Sequence, residues 1–311
     1  MSTEIVQVQS VFITGLNTTV GQALALKLRA DGHTVAGTVN SSQEAAYFRA
    51  FGVTPAYSDL TRAGELGSAI QGTGATLLVN CAAQAANHAP QVSADWSLPL
   101  ARYAEALADA AAKTKAEFVL HTSFPFAGGH LTDDTDGAEL ALDEAQAAET
   151  IALTSPVPTA VLRLGTVYGA TDEALKSLRD SLLGGRVFDA GEDHVRASWI
   201  YAPDAASALA AALKVRPAGM TLDIVDDQPM TPAAFLRLFA ELQSVGMPST
   251  LPLFIRRSFR PELQRLIMKI ETYPSNASAR NTLDWAPRYP TAKAGLEDLL
   301  LVWRAAMGVQ A

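Results

Sequence analysis

"VFITGLNTTVGQALALKL", residues 11–28, decides how the rest of the chain is read. It opens on Val11-Phe12-Ile13, a β-branched and aromatic run of the kind that fills a strand covered on both faces. Gly15 then permits a tight turn, and a helical pattern of Leu and Ala begins near Gly21. A strand–turn–helix unit of this kind directs backbone N–H groups and the positive end of a helix dipole at a phosphate. A small residue at position 21 lets the helix pack closely on the strand. The middle glycine of the pattern G-x-x-G-x-x-G is missing, because position 18 is Thr. That glycine allows the backbone to approach a pyrophosphate; a threonine hydroxyl offers a donor to a phosphate oxygen instead. The other reading of the stretch is a turn kept for folding alone.

Working outward, strand and helix patterns alternate. Strands are expected at "SVFITG" (10–15), "HTVAGTV" (33–39), "VTPAYS" (53–58), "ATLLVNCAA" (75–83) and "AEFVLHTS" (116–123). Helices are expected between them at 21–32, 42–52 with Ser41 or Ser42 as cap, 63–72, and 98–114 with Pro99 in the first turn. Repeated β-α-β units with nearly continuous apolar strands give an α/β fold: a Rossmann-type, doubly wound parallel sheet. In the second half, "TAVLRLGTVYG" (159–169) reads as one buried strand and "MTLDIVD" (220–226) as another. Helices are expected at 172–185, 202–215, 231–246 with Thr231 as cap, and 296–307.

The bulk properties narrow the function classes. With 311 residues and 49% hydrophobic content, a large domain with a smaller C-terminal α/β lobe is expected. A net charge of −8 argues against nucleic acid as a partner. The lone cysteine, Cys81, excludes an internal disulfide, fits a reducing compartment, and reads as a buried inert thiol within "TLLVNCAA". Five scattered His give no metal-binding spacing. The N-terminus lacks a secretion pattern and no run spans a bilayer, so a cytoplasmic protein is expected.

Eight short pieces occur in a recognisable order: "VFITGLNTTVG", "HTVAGTVN", "SDL" (58–60), "LLVNCAAQ", "FVLHTS", "AVLRLGTVYG", "SWIYAPDAASAL" and "ARNTLDWAPRYP". On these the chain resembles the extended short-chain dehydrogenase/reductases, the branch of sugar-nucleotide epimerases, dehydratases and dihydroflavonol-type reductases. The resemblance runs over roughly residues 8 to 305. It implies a nucleotide-binding domain over 8–165 that also receives parts of 198–225. The smaller lobe would comprise 166–197 and 226–311. It implies NAD or NADP held by Gly15, Asn17, Thr18, Thr19, Val20, Gly21, Asn40, Ser41, Asp59, Leu60, Cys81, Ala82 and Ala83. The second strand ends Val39-Asn40-Ser41-Ser42, without the acid that grips the ribose of NAD. Asn40, Ser41 and Ser42 could bond a 2′-phosphate, which leans the reading to NADP; Asp59 matches an adenine contact or is a plain cap.

The resemblance also implies a catalytic Tyr and Lys spaced Y-x-x-x-K on one helix face, beside a polarising Ser. Ser123 is in place. With Glu149 as the family Glu that follows the motif, the Tyr position is Ala141 and the Lys position Ala145. No Tyr lies between Tyr103 and Tyr168 and no Lys between Lys115 and Lys176, so no shift of alignment restores the pair. The family Asn before the fourth helix is also lost, with Leu98 or Pro99 nearby.

Substitute groups are Asp143 and Glu144, read either as a relocated acid/base or as solvated helix charges, and His121, read as a packed core histidine. Arg163, Tyr168 and Arg196 match cleft-lining positions, or else brace and fill the second lobe. Residues 251–270 form a basic amphipathic segment, a lid helix or a peripheral contact to a partner or anionic lipid. The expected function is a NAD(P)-binding protein with a degenerate site, acting as a non-catalytic subunit, sensor or assembly partner, with a homodimer or larger complex as its setting. The alternative is an oxidoreductase, epimerase or dehydratase acting on a sugar nucleotide or other small carbonyl or hydroxyl substrate through a non-standard acid/base.

Overall fold

The computed structural model describes residues 8–88, 99–132, 136–185, 188–189, 196–246, 249–250 and 270–308. Seven strands form one sheet: β1 (Ser10–Thr14), β2 (Thr34–Thr38), β3 (Thr54–Ala56), β4 (Leu77–Asn80), β5 (Phe118–Ser123), β7 (Thr159–Leu164) and β11 (Thr221–Ile224), with the two-residue strands β6 (His130–Leu131) and β9 (Phe188–Asp189) outside it. Their order across the sheet is β11-β7-β5-β4-β1-β2-β3, and every pairing is parallel. The order reverses between β1 and β4, the topological switch point where open α/β sheets bind ligands beyond the carboxyl ends of their strands.

Alternation along β1 shows why these apolar runs are strands. Val11 and Ile13 face one core cluster, with Val20, Leu24 and Leu28 of α1 (Thr19–Ala30) and Ala205, Leu209 and Leu213 of α7 (Ala202–Val215). Phe12 points the other way, onto Leu66 and Ile70 of α3 (Ala63–Thr73) and Leu107 and Ala111 of α4 (Leu100–Thr114). Each face of the sheet is therefore sealed by helices, as continuous apolar strands require. Helix α2 (Ser42–Ala50) adds Ala45 and Phe48 to the first face.

One expected strand is two. "TAVLRLGTVYG" breaks at Gly165: β7 stays in the main sheet, while β8 (Thr166–Tyr168) pairs in parallel with β10 (Trp199–Tyr201). A Cβ at Gly165 would lie 2.9 Å from the Ser198 carbonyl oxygen, so the close approach that permits this change of sheet depends on the glycine. Beyond it lies the second lobe, with α6 (Glu173–Leu183), α8 (Pro232–Leu242) and α10 (Ala292–Gly308). These helices enclose an aromatic cluster of Tyr168, Trp199, Tyr201, Phe235, Phe239 and Trp303. Helix α9 (Ala277–Leu283) instead returns to the core of the nucleotide-domain sheet through Ala279 and Leu283.

The predicted caps at Ser41 and Thr231 are present, each accepting from an amide three residues on. The basic segment 251–269 lies outside the described residues, as does Leu98. No helix among the described residues is long and apolar enough to cross a membrane.

Candidate functional site

The β1–α1 turn is built by contacts at atomic limits. Gly15 has φ +77°, and a Cβ on it would lie 2.8 Å from the Ala82 backbone, where the chain leaves β4. A Cβ on Gly21 would lie 2.1 Å from the Gly15 carbonyl oxygen. The loops on either side of the switch point therefore touch through glycine, and the Gly15 amide donates to Thr38 Oγ1 at 2.8 Å, tying in the end of β2.

Thr18 has an ordinary extended backbone, φ −77° and ψ 153°, so the position does not demand glycine here. Its hydroxyl is turned inward. It donates to the Gly15 carbonyl at 2.8 Å and accepts from the Gly21 amide at 3.0 Å, and the residue is only 2% exposed. The expected donor to a phosphate oxygen is thus committed as the helix cap. Neither its hydroxyl nor its methyl projects from the turn, and the outer face is left to Asn17, which is exposed, and to backbone. The amides of Thr19 and Val20 precede the first intrahelical bond, from Gln22 N–H to the Thr18 carbonyl at 2.9 Å. A turn closed by glycine-dependent backbone contacts, with the Leu16, Thr18 and Val20 side chains buried, leaves backbone amides on its outer face and fits a dinucleotide pyrophosphate.

Beneath the turn lies a polar hub that the sequence reading did not single out. Asn80, 1% exposed, accepts from Thr14 Oγ1 at 2.8 Å and from the Ala82 amide at 3.2 Å through Oδ1. Its Nδ2 donates to His121 Nδ1 at 3.1 Å, and its carbonyl accepts from Thr122 Oγ1 at 2.7 Å. A lone amide in "TLLVN" was the available signal, since β1–β4 register places Thr14 beside it. His121 is a buried core histidine whose pKa burial lowers to about 4. Cys81 is fully buried, and burial pushes its thiol up, away from reactivity.

At the end of β2 the structure departs from the sequence reading. That reading found no carboxylate there, but Glu44, from the first turn of α2, brings one. Its Oε2 accepts from the Asn40 amide at 2.7 Å, and its own amide donates to Ser41 Oγ at 3.1 Å. Ser41-x-x-Glu44 was the legible signal, a capping-box spacing. Asp59 is a turn cap: Oδ1 accepts from the Thr61 amide at 2.9 Å and hydroxyl at 2.7 Å, and Oδ2 pairs with Arg62 at 3.2 Å. Leu60 packs half-buried against the α3–α4 side of the core.

The positions at which the sequence reading expects the Tyr–Lys pair lie on α5 (Asp136–Leu153). Arg163 of β7 grips Glu149 bidentately, Nε to Oε1 at 2.8 Å and Nη2 to Oε2 at 2.6 Å. This fixes the rotation of α5. Ala145 and Ala141, one and two turns earlier on the same face, are each 1% exposed. They sit in an apolar cluster with Phe124, Phe126, Ala127, Ala138, Ala148 and Ile270. Phe124 and Phe126 stack at 5.0 Å between centroids. Ser123, 3% exposed, ends β5 beside this cluster, and its carbonyl accepts from Gln84 Nε2 at 3.0 Å.

Of the substitute acids, Glu144 caps another helix: its Oε2 accepts from the Ala101 amide at the start of α4, at 3.3 Å. Pro99 there supplies no side-chain cap, which is the physical reason for the borrowed one. Asp143 is exposed. Arg163 braces β7 to α5. Tyr168, 2% exposed, packs in the second lobe with its hydroxyl on the Ala292 carbonyl at 3.4 Å. Arg196 is exposed. Ser123, Asp143 and Glu144 are thus engaged in three different settings, and the described residues contain no group of three or more His, Cys, Asp or Glu placed to hold a metal.

Comparisons with known proteins agree with this geometry. UDP-glucose 4-epimerase from Thermotoga maritima, solved with UDP-glucose, is 16% identical, with 96% of this chain and 100% of that chain covered at a TM-score of 0.74. dTDP-glucose 4,6-dehydratase from Bacillus anthracis, solved with NAD, is 14% identical over 96% and 97%, TM-score 0.72. Human epimerase family protein SDR39U1, solved with NADPH, is 19% identical over 94% and 99%, TM-score 0.71. No curated protein matches the chain by sequence. At these identities the likeness establishes the fold, a Rossmann-type α/β fold. The family model described as the NAD dependent epimerase/dehydratase family matches residues 11–224, more than half of the sequence, and the chain therefore belongs to that family.

Proposed function

We propose that the protein binds a nicotinamide dinucleotide and does not carry out the Tyr–Lys chemistry of its family, serving instead as a non-catalytic subunit, sensor or assembly partner. The observation that carries this reading is the burial of Ala141 and Ala145, 1% exposed each, in an apolar cluster. Alanine neither donates a proton nor orients a ribose, and acid–base help of this kind is worth roughly 10²–10⁴-fold. The stacked Phe124 and Phe126 fill the neighbourhood in which a tyrosine hydroxyl and a lysine ammonium would have to stay solvated.

Gly15, Asn17, Thr18, Thr19, Val20 and Gly21 would hold the pyrophosphate, chiefly through backbone amides and the α1 dipole. Asn40 and Ser41 would flank the adenosine ribose, Asp59 and Leu60 the adenine, and Cys81, Ala82 and Ala83 would form the wall at the end of β4. A bound nicotinamide would supply hydride acceptance or donation; of the family's catalytic residues Ser123 is the one retained, and it would polarise a substrate oxygen. Relocation of the proton transfer to Glu144 is disfavoured by its engagement as the α4 cap.

The test is an assay of the purified protein with NAD and with NADP against UDP-glucose and dTDP-glucose. Nicotinamide absorbance and product chromatography are followed together. No turnover above a protein-free control is expected. Turnover that is lost in Ser123→Ala would overturn the non-catalytic reading.

A further inference from the structure

We propose that Glu44 sets the nucleotide preference of this protein, favouring NAD over NADP by occupying the place of the missing strand-end acid. The inference rests on the nucleotide-binding reading above and specifies the ligand of that same site.

The hydrogen bonds at the end of β2 are already committed in part. A 2′-phosphate needs donors and positive charge, and a free 2′-hydroxyl needs an acceptor. The Asn40 amide, which would serve a phosphate, donates to Glu44 Oε2 at 2.7 Å. The Ser41 hydroxyl, the second such group, is the α2 cap and accepts from the Glu44 amide at 3.1 Å. The capping arrangement therefore occupies the Asn40 backbone donor and sets a carboxylate beside the Ser41 hydroxyl. Oε1 of Glu44 has no partner among the described residues and is available to accept from a ribose hydroxyl.

The surrounding charge acts in the same direction. On the adjoining connection from β3 to α3, the Arg62 cation is already shared by Asp59 Oδ2 at 3.2 Å and Glu65 Oε1 at 2.9 Å. Glu44, Asp59 and Glu65 against Arg62 leave this rim net negative, which repels the additional charge of a 2′-phosphate. Position 40 itself, where an arginine would serve NADP, is Asn. Thr38 Oγ1 bonds the Gly15 amide, so the strand end that carries Asn40 is fixed to the pyrophosphate turn and does not move independently of it.

The experiment is a calorimetric titration of the wild type and of Glu44→Gln with NADH and with NADPH, with thermal unfolding of both proteins as a fold control. Gln keeps an acceptor for the Asn40 amide and removes the charge. The wild type is expected to bind NADH more tightly than NADPH, and Glu44→Gln to shrink that ratio by about tenfold, mostly by tightening NADPH. Binding of both nucleotides at a ratio that Glu44→Gln leaves unchanged overturns the inference alone, as does wild-type preference for NADPH. Binding of neither nucleotide by the folded wild type overturns the nucleotide-binding reading and this inference with it.

Discussion

Arg163 and Glu149 form a two-pronged ion pair that fixes the rotation of α5 against β7, with contacts of 2.8 and 2.6 Å. Glu149 is buried, so its charge is left with neither water nor a partner if Arg163, which retains 22% exposure, is removed. The pair holds in place the helix face that carries Ala141 and Ala145. Breaking one half of a buried pair costs more than the pair itself contributes. Arg163→Leu is therefore expected to lower stability by about 2–4 kcal/mol in urea unfolding. A loss below the error of that measurement would mean the pair is not what positions α5.

The cluster around Ala141 and Ala145 makes a second prediction. The double substitution Ala141→Tyr and Ala145→Lys writes the family motif back into the sequence. The positions have almost no exposure, and Phe124, Phe126 and Ile270 pack around them. Overpacking typically costs 1–3 kcal/mol, roughly, and burying an ammonium adds to it. The double variant is expected to lose at least about 2 kcal/mol and to gain no hydride transfer with UDP-glucose. Gain of turnover would show that the site is intact apart from two side chains.

A third prediction concerns the pyrophosphate turn. Gly21→Ala places a methyl 2.1 Å from the Gly15 carbonyl oxygen, a backbone atom that cannot swing aside. It should push α1 off the turn, weakening NADH binding at least about tenfold. Thr18→Ala tests a different bond. It removes the cap on the Gly21 amide and is expected to cost about 1 kcal/mol in stability. Because the hydroxyl faces inward, NADH affinity should change little. A large loss of affinity in Thr18→Ala, without loss of stability, would place that hydroxyl on the ligand.

The fourth prediction is a pH dependence. Asp226 follows β11 at 4% exposure, and its Oδ2 has no partner among the described residues. Burial raises its pKa to about 7, helped by the charges of Asp227 and Asp204 and opposed by the Gln228 amide. The unfolded carboxyl titrates near 3.9, approximately. The folded state therefore binds the extra proton between these values. The stability it contributes is complete below the unfolded value and is lost as pH rises through about 7. Asp226→Asn should remove that slope, so thermal unfolding should show the variant gaining on the wild type by roughly 1–3 kcal/mol between pH 5 and pH 8. A gap that closes with rising pH would contradict the raised pKa.

Much of the fold was legible because buried parallel strands announce themselves as short apolar runs. Those from "SVFITG" to "AEFVLHTS" all lie in the main sheet. "TAVLRLGTVYG" misled because an apolar run does not reveal a change of sheet; only the approach of Ser198 to Gly165 does. At the site, the glycines were readable and the absence of Tyr and Lys was readable. The direction of the Thr18 hydroxyl was not, since a cap and a ligand contact require the same residue. The carboxylate of Glu44 was not legible at the strand end because it reaches back from the first turn of α2. The capping role of Glu144 was not legible because its bond to the Ala101 amide crosses between two helices.

The central claim is that the protein holds a nicotinamide dinucleotide without using it in the family's chemistry. The most direct measurement is a fluorescence titration of the wild type and of Gly15→Ala with NADH, followed by mixing the wild type loaded with NAD with UDP-glucose and recording the absorbance of reduced nicotinamide. The account predicts saturable binding that Gly15→Ala abolishes, and absorbance that does not change faster than in a protein-free control. No saturable binding, or reduction of the bound NAD on mixing, would contradict it.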